Sequence, residues 1–392
     1  MTIAAFSIHP APYRDPLFAC LAETAKGLGC EYEVFFYNSC DGGHSYWNLH
    51  APEYPHRVMR AFLGAKRASL QFHFASLKVV FSRQYYLISF PGVMHLTSTI
   101  GIILCLLQGR RYAIEMDSVE DSSSRARLFL KSVFLKHATY VLVPGTCSAD
   151  YIRRRYNLSG SRVIVGMYLL DATRLRTEID RYRSENTGRS KRGIPVEKKV
   201  FLMVANMEPH RMYPLLLSAF EAVVVEHPES LFVMVGKGPD YQEVACRAKD
   251  NPEHFLAING CSFEEMKELY AIADVYVHGG KEPYSTALVI GAIAGLPLIS
   301  SREIGAVWDV LEDGISGFEV THYENRDSWV HAIKNCWLRY LEWKRIGRNA
   351  YEKATCRSLT DTARSICLAA VPNARGDHAF GVREESTGPS GD

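Results

Sequence analysis

The chain has 392 residues, 47% hydrophobic and 22% charged, an ordinary globular balance that excludes disorder for the bulk of it and predicts two domains at roughly 150 residues each. Its ten cysteines are scattered without a C-x-x-C pair, which excludes a disulfide-stapled scaffold and argues for a reducing cytoplasm and against a structural zinc site. The formal net charge of +2 hides an asymmetry, because residues 1–190 carry 23 Lys and Arg against 15 Asp and Glu.

Met1–Ser7 reads as a short strand, and Asp15 interrupts the stretch after it, so no signal peptide is expected. No acid occurs between Glu53 and Glu115, a stretch that holds Arg57, Arg60, Lys66, Arg67, Lys78, Arg83, Arg110 and Arg111. Phe62, Leu63, Leu70, Phe72, Phe74 and Phe81 are interleaved with them. Cations mixed with large apolar side chains suit an anionic membrane surface, here residues 57–83 and 125–136, better than nucleic acid, and no nucleic-acid motif is present.

From Leu87 to Leu107 there are 21 uncharged residues, about the length that crosses a bilayer. Pro91-Gly92 and the Ser/Thr residues near 98 break that run. It predicts instead a buried strand over Tyr86–Phe90, a helix over Leu96–Leu107 and a strand over Tyr112–Met116. Asp121 and the serines after it cap a helix over Arg125–His137. A strand at Tyr140–Val143, a helix at Ala149–Tyr156 and a strand at Arg162–Val165 continue the alternation. Residues 177–199 are polar, with Gly188, Gly193 and Pro195, and read as a linker.

A second alternation then begins. Strands are expected over Val200–Ala205, Leu231–Val235, Phe255–Ile258, Asp274–His278 and Leu298–Ser300, with helices over Pro214–Val225 and Tyr284–Ala294. Ser262 and Glu265 form a capping box for a helix through Ala273. Trp329, Ile333, Trp337, Tyr340 and Leu341 recur at helical spacing and predict a packing face. Residues 371–392 read as a disordered tail.

Two consecutive α/β halves imply two parallel sheets facing a cleft, with ligands beyond the carboxyl ends of the strands. Gly236-Lys237-Gly238-Pro239 ends a strand in a tight turn that a ligand could approach closely. Glu282 precedes a helix whose first amides, at Ser285 and Thr286 after Tyr284, would favour an anion such as phosphate. Glu282 itself suits hydrogen bonds from sugar hydroxyls, and Arg211 could neutralise a phosphate. In the first half the candidates are His9 and Arg14 in one loop, and Glu115 and Asp117 at a strand end, where a carboxylate could orient an acceptor hydroxyl.

Residues 200–320 carry VANMEPHRMYPLLLSAF, VMVGKGP, ELYAIADVYV, EPYS, AGLPLISS and LEDGISGF in that order. This series resembles the donor domain of family-4 retaining glycosyltransferases of the GT-B fold. IHPAPYRDPLF resembles the first-strand loop of some bacterial members, and RVIVGMYLLDATRL, ending in its Asp171 stretch, the segment before their linker. The resemblance implies an α/β fold of two Rossmann-like domains: an acceptor domain over 1–176, a linker over 177–199, a nucleotide-sugar donor domain over 200–325, and helices over 326–370 packing back toward the first domain. It implies transfer of a sugar from a nucleotide-sugar to a hydroxyl with retention, no metal or cofactor, and an Arg and a Lys that meet the departing diphosphate.

Glu282 matches the first glutamate of the family's pair, but the second position is Ile290. Arg211 falls on the family lysine and Asn206 on its arginine, leaving Lys237 and Lys281 as nearby cations. The catalytic candidates are thus Arg211, Glu282 and Asp117. Donor contacts are expected at Gly236, Lys237, Gly238, Pro239, Tyr284, Ser285 and Thr286, and acceptor contacts at His9, Arg14 and Glu115. The basic first half agrees with a lipid-linked saccharide acceptor at the inner membrane face. The rival readings are a non-catalytic sugar-nucleotide-binding or partner protein of the same fold, and a soluble glycosyltransferase of a small metabolite.

Overall fold

The computed structural model describes residues 1–38, 52–61, 70–117, 119 and 124–371. The first domain runs β1 (Thr2–Ser7), α1 (Asp15–Gly27), β2 (Glu31–Phe36), β3 (His56–Val58), α2 (Ala75–Phe81), β4 (Tyr85–Pro91), α3 (Leu96–Leu107), β5 (Arg111–Glu115), α4 (Arg125–His137), β6 (Val141–Val143), α5 (Thr146–Tyr156) and β7 (Val163–Val165). Its strands are all parallel, in the order β3-β2-β1-β4-β5-β6-β7. Alternate residues of β1 serve opposite faces: Ile3 and Ala5 pack with α1, while Ala4 and Phe6 pack on the side of α3. A strand covered on both faces has no polar side to show, which is why this half reads as unbroken apolar runs.

The second domain runs α6 (Ala172–Glu185), β8 (Lys199–Val204), α7 (Tyr213–Val224), β9 (Ser230–Val235), α8 (Tyr241–Asp250), β10 (Phe255–Ile258), α9 (Phe263–Ile272), β11 (Val275–His278), α10 (Thr286–Ile293), β12 (Leu298–Ser300), α11 (Val307–Val310), β13 (Gly317–Glu319), α12 (Arg326–Leu338) and α13 (Trp343–Ala354). This sheet too is parallel, ordered β10-β9-β8-β11-β12-β13. The last helix, α14 (Leu359–Ala370), lies in the first domain against α1, burying Ala363, Ile366 and Cys367 with Leu17, Phe18 and Leu21.

Three sequence readings need correction. Residues 177–185 are not linker but the body of α6, which packs on α9 through the buried Leu175 and Ile179. Its polar surface is a helix face laced by Arg174–Glu178, Arg176–Asp180 and Arg181–Glu185 pairs one turn apart. Helix α10 begins at Thr286, two residues later than expected, because Ser285 turns extended and caps it. The aromatic stripe stops early: Trp329, Ile333 and Trp337 are buried, but α12 ends at Leu338, so Tyr340 and Leu341 fall beyond the helix and are exposed. Asp121, residues 62–69 of the basic segment and residues 372–392 lie outside the described residues.

A polar clamp ties the domains together. Asp309 on α11 accepts the Thr146 amide at the start of α5 at 3.1 Å, and Arg357 reaches Asp309 at 2.7 Å and the Thr146 hydroxyl at 2.8 Å. A carboxylate is well placed there, at the positive end of a helix. Beside it, Tyr284 packs under Gly145, where any side chain would collide with it, and its ring lies 6.0 Å from that of Tyr168.

Candidate functional site

In each sheet the strand order reverses at one place, between β1 and β4 in the first and between β8 and β11 in the second. Such switch points leave a crevice between loops that depart in opposite directions. In the second domain these loops are 205–212 after β8 and 279–285 after β11, so Arg211 and Glu282 face one another by topology. Two glycines allow the loops to touch. Gly280 has φ +87°, and a side chain there would strike the His210 carbonyl; one on Gly279 would strike the Arg211 carbonyl. Met212, next to Arg211, adopts left-handed φ +62°, strain that a residue other than glycine accepts only where its surroundings impose it.

The side chains converge closely. Arg211 holds Glu282 through two contacts of 2.6 Å, one from each terminal nitrogen. The His278 Nε2–H donates to Glu282 at 2.6 Å, while Nδ1 lies 3.1 Å from the Tyr276 hydroxyl and Ser285 Oγ 3.1 Å from Nε2. Below, Glu282 is fixed through its backbone, its amide donating to the Glu303 carbonyl and its carbonyl accepting from Gly305. Burial opposes the charged form of Glu282, but His278 and Arg211 outweigh it and hold the carboxyl down at about 2. Burial likewise lowers His278 below its ordinary 6.5, so its ring is neutral at neutral pH. The Arg211 Nε–H is buried without a hydrogen-bond partner.

Sequence reasoning missed His278. The signal was legible, since a histidine ends the otherwise apolar strand Val275–His278, and a buried polar group needs a partner. Arg357, Asp309 and Trp308 were also missed, because only the fold brings them near the cleft.

Two cavities border the segment 281–290. The larger, about 610 Å³, lies between the domains and is lined by Cys147, Asp150 and Arg154 of α5 and by Lys281, Glu282, Arg302 and Trp308. The smaller, about 170 Å³, is lined by Pro12 and Tyr13 of the first domain and by Val204, Asn206, Gly236, Gly260, Met266, Thr286 and Ile290. Gly236 and Thr286 therefore line one cavity, together with the Asn206 and Ile290 positions. Gly238 closes the same turn against Met207 with φ +153°, followed by Pro239, and the Lys237 stem lies across Gly260.

The first-domain candidates do not gather in the same way. Arg14 and Glu115 form a buried ion pair, with the Nη2 of Arg14 2.8 Å from both carboxylate oxygens and its guanidinium over the rings of Phe18 and Tyr168. Asp117 is exposed at the end of β5, with the Tyr168 hydroxyl 3.4 Å away. The His9 ring contacts the carbonyl of Pro10 at 3.0 Å. None of these four lines either cavity. Among the described residues no group of three or more His, Cys, Asp or Glu is arranged to hold a metal ion, and no helix is long and apolar enough to cross a membrane.

Comparison with known proteins bears on the fold and on the second domain. Residues 184–353 match the family model of glycosyl transferases group 1. The spore coat protein SA of Bacillus subtilis (strain 168) is 25% identical over 167 residues, which are 40% of this chain and 44% of that protein. The chain thus matches less than half the length of this curated relative. Among solved structures, Anabaena Alr3699/HepE in complex with UDP and glucose superposes with a TM-score of 0.67 at 17% identity, covering 93% of this chain and 98% of the other. A glycosyltransferase from Rickettsia africae ESF-5 superposes with a TM-score of 0.72 at 14% identity, covering 94% and 98%. The fold is GT-B. Its second domain contains the matched family segment, and with it the Arg211–Glu282–His278 cluster.

Proposed function

We propose that the chain is a retaining glycosyltransferase of the family-4 type, moving a hexose from a nucleotide-sugar to a hydroxyl of a lipid-linked saccharide in the assembly of a cell-surface polysaccharide or glycolipid. The observation that carries this reading is the Arg211–Glu282–His278 cluster at the second switch point, where both cavities border the same segment. The nucleotide occupies the smaller cavity, with its diphosphate toward Arg211 and the first amides of α10. Ionised Glu282 accepts hydrogen bonds from the donor sugar. The acceptor enters the larger cavity, between α5 of the first domain and Lys281, Glu282, Arg302 and Trp308 of the second.

Transfer breaks the bond between the anomeric carbon and the diphosphate oxygen, whose electron pair stays on the diphosphate. The acceptor oxygen bonds that carbon from the same face, and its proton passes to the departing diphosphate. Arg211 and the helix end meet the charge that develops, so the step calls on no metal or other cofactor.

The test is a thermal-shift screen against nucleoside diphosphates and nucleotide-sugars. A ligand at 100 times its Kd adds about 2.7 kcal/mol of stability. A shift with one nucleotide, lost in Arg211→Ala judged against its own unliganded melting point, is the expected result. If no nucleotide shifts the protein at millimolar concentration, the non-catalytic reading replaces this one.

Docking at the inner membrane face is the second part of the proposal. Phe74 and Phe81 flanking and ending α2, Leu107 at the end of α3, and Phe129 on α4 are exposed, and Lys78, Arg125 and Arg127 belong to the same helices. Vesicles containing anionic phospholipid should sediment the protein at low salt and release it at high salt. Phe129→Glu should weaken the association; retention in the supernatant with wild-type protein would leave a soluble enzyme.

A further inference from the structure

The smaller cavity says more about its ligand than where a diphosphate lies. Thr286 and Ile290 both line it from α10 and stand four residues apart, a rise of about 6 Å. From its 5′ oxygen to its base nitrogen, a nucleoside pentose spans about that rise. A diphosphate at the start of α10 therefore lays the pentose of its nucleoside along the helix and onto Ile290, with the base beyond, toward Gly236 and Gly260. Carbon dominates the lining, through Ile290, Val204, Met266 and Ala287; its polar side chains include Asn206, Thr286 and Ser262, whose hydroxyl is already engaged with Glu265. Among the described residues no aspartate or glutamate lines the cavity.

A ribose entering such a wall carries vicinal 2′ and 3′ hydroxyls, each of which gives up water and needs a new partner. A 2′-deoxyribose carries one hydroxyl fewer and presents a methylene where the isoleucine side chain lies. We propose that the donor is a 2′-deoxyribonucleoside diphosphate sugar and that Ile290 is the residue that selects the deoxy form. This rests on the donor-site reading above, because it takes the smaller cavity to be the nucleoside site.

The experiment is calorimetric titration of the full chain with matched pairs, UDP against dUDP, GDP against dGDP, ADP against dADP and CDP against dCDP, with dTDP added. For the base that binds, the deoxy member should be tighter by about tenfold, the worth of one poorly satisfied buried hydroxyl. Equal affinities, or a tighter ribose member, would overturn the inference while leaving the donor site in place. If no nucleoside diphosphate binds, both fall together. Ile290→Glu supplies an acceptor for both hydroxyls and should abolish or reverse the preference. An Ile290→Glu protein that folds and keeps the wild-type preference would also overturn the role given to Ile290. The comparison of wild-type pairs stands if that variant does not fold.

Discussion

His278 and Glu282 make the site sensitive to acid in two windows. The folded protein holds His278 below its ordinary 6.5, so below that pH the unfolded chain takes up a proton that the folded one refuses. Stability therefore falls as pH drops from 6.5 toward the folded value. Glu282 acts in a lower window, contributing fully above 4.5 and losing its contribution as pH falls toward about 2. His278→Gln, whose amide can still donate to Glu282, should flatten the melting-temperature profile just below pH 6.5 and narrow the lower window, because Arg211 alone then supplies the charge that holds the Glu282 carboxyl down. An unchanged slope would mean that His278 is not the group responsible. Arg14 and Glu115 pose a different question, since neither is near solvent. Glu115→Gln strands a buried guanidinium and should cost about 3–5 kcal/mol in urea denaturation, whereas replacing both partners with apolar residues of like volume should recover most of it.

At the scale of elements, capping and pairing decide where helices run. Ser262 and Glu265 satisfy each other's backbone amides at the start of α9, and that box was readable from four residues. Ser262→Ala should lower stability by about 1 kcal/mol in thermal unfolding without altering the fold. Strand positions were equally legible, because a parallel strand buried on both faces leaves a run such as Val275–Val277 with no competing interpretation. Helix α6 was not, since a charged helix with only Leu175 and Ile179 on its buried side has nearly the composition of a loop. The second-domain side of the candidate site was legible for a topological reason: Arg211 and Glu282 lie in loops that follow strands. The first-domain side was not, because sequence shows that Glu115 sits at a strand end but not that Arg14 already claims it.

Across the whole molecule, a cluster of polar contacts bridges the two domains beside the cleft. Asp309 serves the Thr146 amide and Arg357 at once, joining α11, the start of α5 and the segment before α14. Asp309→Ala removes a charge-assisted acceptor from both. The radius of gyration from X-ray scattering should rise and turnover should fall by about tenfold, while the melting of each domain changes little; an unchanged radius would show that closure is held elsewhere. Tyr13, Tyr168 and Tyr284 run as a series of rings from the first domain to the second, so the same variant should also expose Tyr284.

The return of α14 to the first domain bears on the order in which the protein is made. Leu17, Phe18 and Leu21 are synthesised early, yet the side chains that cover them, Ala363, Ile366 and Cys367, come more than 300 residues later. While the ribosome is still translating, the second domain holds all its strands and can close its own core. The first keeps the apolar surface around α1 uncovered, waiting for a helix still inside the exit tunnel. The half of the protein that is born first is thus the half that finishes last, and in the interval that apolar surface is where a nascent-chain chaperone would bind.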